Sequence, residues 1–342
     1  MRIRVIDRRI VSLMTCGMFA LAVAVGLATS ASAAPKPGNS CSSSITACGC
    51  IMDKRGSTYT VMNDLNDGQG LTPNGNCLEI SADHVLLDLM GNALIGSGSG
   101  TAIVIQKTAQ FAVIQGTDPN EAAQAIVNSW NIGIEDDGNN ATIELFRQIG
   151  GNQFNPHGNT TYGVVLNGVS NTTVDDFNAS FNGQDGLLVV GGGSHRFMNF
   201  DTTNNGADGV ALNASNGNTL FNCTTTGNGG QGVLMISADS NQVFTGAING
   251  NQKNGILLGC GKSAGASCGS HGSNFNRVSD SGANGNQAAG IVIDKGSSAN
   301  AITSLKAQGN GGSFDAIDSN SRCDDDTWFN NTFGTVSQSC IH

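Results

Sequence analysis

The chain has 342 residues, of which 12% are charged and 5% aromatic, with 48 glycines. Lys plus Arg number 16 against 26 Asp plus Glu, a net charge of −10. Such a surface repels a phosphate backbone, which argues against a nucleic-acid partner, and it disfavours unaided binding of anionic polysaccharide. Abundant Gly, Asn, Ser and Thr point to turns rather than disorder, because apolar residues recur at regular positions between them.

Residues 1–33 have the pattern of an export signal. Arg2, Arg4, Arg8 and Arg9 form a basic start, Ile10 to Ala28 is mostly apolar, and Ala31-Ser32-Ala33 is a small-residue cleavage site. Its removal leaves no membrane span, a net charge near −13 and nine of the ten cysteines. A secreted or periplasmic location then favours disulfides. The expected pairs are Cys260–Cys268 and Cys323–Cys340, with Cys41, Cys48, Cys50 and Cys77 making two more. Of the three connectivities open to those four, Cys48–Cys77 with Cys41–Cys50 is preferred. The Cys48-Gly49-Cys50 spacing also suits metal or redox chemistry, but no His/Cys cluster accompanies it.

Residues 34–47 are expected to be a flexible leader and 48–342 a single domain. Tyr59-Thr60-Val61, Leu78-Glu79-Ile80 and Val85 to Leu89 are strand-like runs that would form the first coils and a lid. Ile103 to Ile105 and Phe111 to Ile114 continue them. Asp118-Pro119-Asn120-Glu121 reads as a helix start, which predicts a two-turn helix to Val127. Ile132-Gly133-Ile134 resumes the strands, and a second excursion spans 150–158, so 116–162 are irregular coils.

From Gly163 the chain repeats every 23 residues. Glycines at 163, 186, 209, 232 and 255 each open an apolar run, and Gly290 opens one more after an insertion at 259–271. A fixed period of this length predicts a solenoid. Eleven residues after each glycine stand Val174, Phe197, Leu220, Val243 and, once the insertion is allowed for, Val278. Fourteen after stand Phe177, Phe200, Cys223 and Gly246, which makes Cys223 a small buried hydrophobe. Nineteen after stand Asn182, Asn205, Asn228, Asn251 and, past the insertion, Asn286, a column suited to amide hydrogen bonds between coils. The +11 and +14 positions have opposite strand parity, so a corner is expected at Asp176, Asn199, Asn222 and Thr245. Residues 320–342, with Trp328, Phe329, Phe333 and two cysteines, form a second lid; a carbohydrate platform is the alternative for Trp328.

These glycine-led coils, Asn columns and lids resemble the right-handed parallel β-helix proteins of the pectin-lyase-like superfamily. The resemblance covers roughly residues 48–340. It implies an all-β, single-stranded right-handed parallel β-helix of about 23 residues per coil, capped by disulfide-pinned ends. Members include pectate lyases, alginate lyases and epimerases, tailspikes and adhesins, so the fold constrains function weakly.

The superfamily's enzymes place acids and bases on the outer face of one sheet. Here alternation sends Val165, Leu188, Ala211, Leu234, Leu257 and Val292 outward, and Asp294 is the only acid in the next outward column. That apolar stripe is either covered by the chain, the Cys260–Cys268 loop being one candidate, or is a partner or homo-oligomer surface. Chemistry is better sought in the irregular coils. Glu135, Asp136 and Asp137 are candidate Ca²⁺ ligands or a carboxylate acid/base set. Asn155-Pro156-His157 is similar to the Asp-Pro-His of alginate epimerases, with Asn155 where those enzymes carry Asp. Ser270-His271-Gly272-Ser273 is similar to one piece of the polygalacturonase motif set, whose companion motifs are absent. His157, Arg147 and Tyr162 complete the candidate pocket, Tyr or His as base and Arg holding a uronate. The expected role is binding or structural at the cell exterior, toward a polysaccharide or cell-surface glycan. The competing reading is a polysaccharide lyase, epimerase or hydrolase, which requires Arg147, His157 and an acid of Glu135–Asp137 to converge on one cleft.

Overall fold

The computed structural model describes residues 39–117, 125–151, 158–261, 265 and 267–342. Each coil contributes one strand to a first sheet and one to a second, and the described residues form sheets of 12 and 15 strands. Neighbouring strands are parallel and pair in register: Val164 beside Leu187, Val210, Val233, Ile256, Ile291 and Ala316. Ile256 meets Ile291 directly, so the longer step between them is taken up by the insertion outside the sheet. The interior is a single apolar column running from Cys41 to Ile341.

The helix starts earlier than the sequence suggested. Asn39–Ser40 pairs with Cys50–Ile51, and Ser44–Ile45 with Thr60–Val61, so residues from 39 onward belong to the first coil rather than to a free leader. Disulfides pin this end through Cys41–Cys50 and Cys48–Cys77 and the other end through Cys323–Cys340, while Cys260–Cys268 closes the insertion. Trp328 is buried in the C-terminal lid, edge-on to Phe333 at 5.8 Å, which removes it as an open platform. The helix expected over 118–127 is not what Ala125–Asn128 forms: that segment is a strand pairing with both Ala93–Ile95 and Phe146–Ile149. Its earlier part, 118–124, lies outside the described residues. The apolar alternation of Ala125 and Val127 into the core decides the outcome, and the capping signal before it does not extend that far.

The predicted corner is present. Asp176, Asn199, Asn222 and Thr245 all have φ between 49° and 51°. A left-handed residue here rotates the strand, so both +11 and +14 side chains enter the core. Phe177 and Phe200 stack at 5.0 Å, and Cys223 follows them as a buried free thiol whose pKa burial pushes up to about 12. A second left-handed column, at His84, Phe111, Asn140, Asn171, Ser194 and Ser240, turns the chain into the second sheet.

Amide ladders close the coils. The Asn228 Oδ1 accepts the backbone N–H of Asn205 at 3.0 Å and its Nδ2 at 3.1 Å. The Asn228 Nδ2 in turn donates to Asn251 Oδ1 at 2.9 Å and to the Thr202 carbonyl at 2.9 Å. The pattern repeats from Asn159 through Asn310. Asn228→Ala strands a buried N–H and a carbonyl, each costing about 1–3 kcal/mol when unpaired. A loss of about 3 kcal/mol is therefore expected, read as a lower denaturant midpoint followed by circular dichroism.

Candidate functional site

The first sheet's outer face can be followed coil by coil. Its central outward column runs Ile51, Glu79, Val104, Glu135, Val165, Leu188, Ala211, Leu234, Leu257 and Val292. Two acids thus stand in the early coils, two strand spacings or about 9.6 Å apart. Glu79 was not singled out from the sequence, because the repeat could not be carried back through coils of unequal length. It is buried, and both its carboxylate oxygens are held by donors: Thr72 Oγ1, Asn74 Nδ2 at 3.2 Å, Asn76 Nδ2 at 3.1 Å and Gln106 Nε2. A carboxylate so fully bonded is a structural anchor.

Glu135 is different. It is half-buried, and among the described residues its carboxylate accepts one hydrogen bond, a long one from Thr101 Oγ1 at 3.5 Å. Burial first, and the neighbouring Asp137 charge second, raise its pKa. Asp136 points the opposite way, into the core. Its Oδ1 accepts the Gly138 N–H at 2.9 Å and its Oδ2 the Thr172 hydroxyl at 2.7 Å. Burial raises its pKa to about 7. Strand alternation therefore splits Glu135 from Asp136. Among the described residues no three His, Cys, Asp or Glu side chains are grouped to hold a metal ion.

Arg147 lies on the other sheet, exposed on the strand Thr142–Ile149. The structure does not bring it together with Glu135–Asp137, which occupy the first sheet. Tyr162 opens the strand next to Ile132 and so shares a sheet with Glu135. His157 lies outside the described residues, as do Asn155 and Pro156. His271 is exposed on the insertion, its carbonyl accepting the Ser237 hydroxyl at 2.8 Å. Asp294 is buried, accepting the Gly265 N–H at 2.6 Å. The apolar stripe is closed at its centre: Leu234, Leu257 and Val292 have no exposed surface and form, with Ala211 and Ala289, an apolar cluster separate from the core.

One buried titratable group went unnoticed in the sequence. His195 stands in a second ladder, nine residues after the coil glycine, with Thr172, Asn218, Asn241, Asn276 and Asn300. Its Nδ1 accepts the Thr172 N–H at 3.1 Å, and its backbone N–H donates to Asn218 Oδ1 at 3.0 Å. The column of asparagines at 218, 241 and 276 is readable in the sequence and would have flagged it.

The family described as the right-handed β-helix region matches residues 162–333, just over half of the chain, and the chain belongs to that family. No curated protein matches it by sequence. Among solved structures it is similar to the Dettilon tailspike protein, at 13% identity and a TM-score of 0.53 over 83% of this chain and 59% of that one. It is similar to the A-module of the Azotobacter vinelandii mannuronan C-5 epimerase AlgE4, at 11% identity and a TM-score of 0.50 over 84% and 85%. A variant of the periplasmic alginate epimerase AlgG gives 10% identity and a TM-score of 0.52 over 84% and 75%. At these identities the likeness establishes the fold alone, a right-handed parallel β-helix. This chain spans under two thirds of the tailspike's length.

Thr172 joins two buried groups with opposite pH responses. Burial lowers the pKa of His195 to about 4 from 6.5. Between those values the unfolded chain binds a proton that the folded chain does not, so this stability is complete above 6.5 and lost as pH falls toward 4. The loss is on the order of 3 kcal/mol at roughly 1.4 kcal/mol per pKa unit. Asp136, raised from 3.8 to about 7, stabilises the fold while protonated, and that contribution is lost as pH rises from 3.8 through 7. His195→Asn, which restores the residue of its column, is expected to resist acid better than the wild type. Asp136→Asn is expected to gain on the wild type progressively as pH rises from about 4 to 7 and to keep that gain above 7. Melting temperatures from about pH 4 to pH 8 check both, since parallel wild-type and variant curves would contradict the assignment.

Proposed function

We propose that the chain is an exported β-helix protein with a binding or structural role toward carbohydrate at the cell exterior, and that it does not turn its ligand over. One observation carries the second half of this reading: Arg147 and the acids Glu135–Asp137 stand on different sheets, so the acid, base and uronate-holding groups of a lyase are not assembled among the described residues. The first sheet's outer column supports it, since from Val165 to Val292 it offers only apolar side chains. The glycan half is supported by the structural likeness to a tailspike and to mannuronan and alginate epimerases, and export by the four disulfides.

A catalytic reading has one observation in its favour. Glu135, half-buried with a raised pKa and spare hydrogen-bonding capacity, is the kind of group that works as a general acid. Calcium, as a candidate cofactor, would draw on Glu135 and the neighbouring Asp137. The two readings separate in one experiment: pectate, alginate and neutral glucans incubated with the protein, with and without Ca²⁺. Glycan retention without unsaturated or epimerised product is the expected result. Turnover that disappears in Glu135→Gln would overturn it.

A further inference from the structure

The outer face of the second sheet carries chemistry that the fold does not require. Arg196, Thr219, Gln242 and Arg277 pair in register on successive strands, which places the two arginines about 14 Å apart along the solenoid axis. Beside them, on the same face, run Met198, Phe221 and Phe244. Phe221 is 44% exposed although it lies in the middle of a sheet. The arginines lie back onto this row: Arg277 sits over the Phe244 ring at 5.6 Å, and an Arg196 guanidinium nitrogen is 3.7 Å from the Met198 sulfur. Neither arginine forms an ion pair among the described residues, in a chain whose net charge is −10.

A second observation points to the same place. Phe275, two residues before Arg277, has φ of 57° and is 66% exposed. Its column otherwise holds Asn140, Asn171, Ser194, Gly217, Ser240 and Ala299, and the two other rings in it, His84 and Phe111, stack on each other at 4.9 Å. A bulky residue in the left-handed region costs on the order of 1 kcal/mol, and exposing an aromatic ring there returns nothing to the fold.

We propose that this face binds an extended, carboxylate-bearing glycan laid along the solenoid axis. The apolar faces of its pyranose rings rest on Phe221 and Phe244, and its carboxylates meet Arg196 and Arg277. Guanidinium groups bind carboxylates bidentately, and among the described residues neither of these two is engaged by a carboxylate. The ledge is two side-chain rows wide, which suits a narrow chain better than a protein surface. The acids of the same face, Glu144 and Asp175, lie beyond Met198 at one end of the row, and Asp175 is engaged by Asn199 Nδ2 at 2.9 Å. They set the end of the binding face and orient the anion away from it.

This inference rests on the glycan reading above, and the test separates the two. Binding of polygalacturonate, oligomannuronate and a neutral glucan is measured by calorimetry on the wild type, Arg196→Gln/Arg277→Gln, Phe221→Ser and, as an off-face control, Lys107→Gln. Circular dichroism and sedimentation establish fold and association state. The expected result is a polyuronate affinity that weakens with salt, falls tenfold or more in the double arginine variant and about fivefold in Phe221→Ser, and is unchanged in the control. Equal binding by folded wild type and double variant overturns the placement while leaving the glycan reading standing. Binding of neutral glucan alone overturns the anionic specificity. Self-association lost in Phe221→Ser makes the face a contact between copies and overturns the proposal. Absence of binding to any glycan removes the parent reading with it.

Discussion

Each coil of this protein is completed by an amide belonging to the next one. An Asn side chain at a corner satisfies both the backbone N–H and the side-chain amide of the Asn one turn earlier, then passes its own amide on. The arrangement works only if equal positions lie one strand spacing apart, because an Asn reaches no further. Coil length is therefore fixed wherever a ladder runs, and the 23-residue period follows from it. The ladder also explains how the insertion is tolerated. Asn251 bonds Asn286 at 2.9 Å across a separation of 35 residues, as Asn228 bonds Asn251 across 23, since the extra residues leave and re-enter between ladder positions.

This dependence sets what the sequence could disclose. Where the ladder is regular, register, corners, core columns and even the unpaired Cys223 were legible from spacing alone. The sequence-near pairs Cys260–Cys268 and Cys323–Cys340 were legible too, whereas Cys41–Cys50 with Cys48–Cys77 was one preferred choice of three connectivities. In the early coils the spacing lengthens: Ile103 pairs with Ile134 and Ile134 with Val164, steps of unequal length from the later ones. Columns could not be counted through such steps, and Glu79 and Glu135 were never recognised as sharing one outward row. The capping signal at Asp118 was misleading past Ala125 because a strand that completes two neighbours outweighs local helix propensity.

The same physics separates the candidate acids. Adjacent residues on a strand face opposite sides, so a Glu-Asp-Asp run cannot act as one three-carboxylate cluster while it remains in the sheet. Asp136 is taken into the ladder region by Thr172, where a neutral carboxylic acid is favoured, and Glu135 is left outside. A run that reads as a metal or catalytic cluster in one dimension is divided by the sheet into a core group and a surface group.

Function must then use faces on which the coil stack tolerates variation. The first sheet's outer face is largely committed: Glu79 is bonded on both oxygens, and its apolar stripe is buried at the centre. The second sheet's outer face is not. Its outward rows change residue type from coil to coil, from Glu144 and Asp175 through Met198 to Phe221 and Phe244, although their backbone pairing is constant. In a solenoid, conserved geometry with changing side chains produces a graded surface along the axis. The surface runs from the acids Glu144 and Asp175, through Arg196 beside Met198, to Arg277 over the Phe244 ring, and a linear polymer aligned with the axis would meet those groups one sugar at a time.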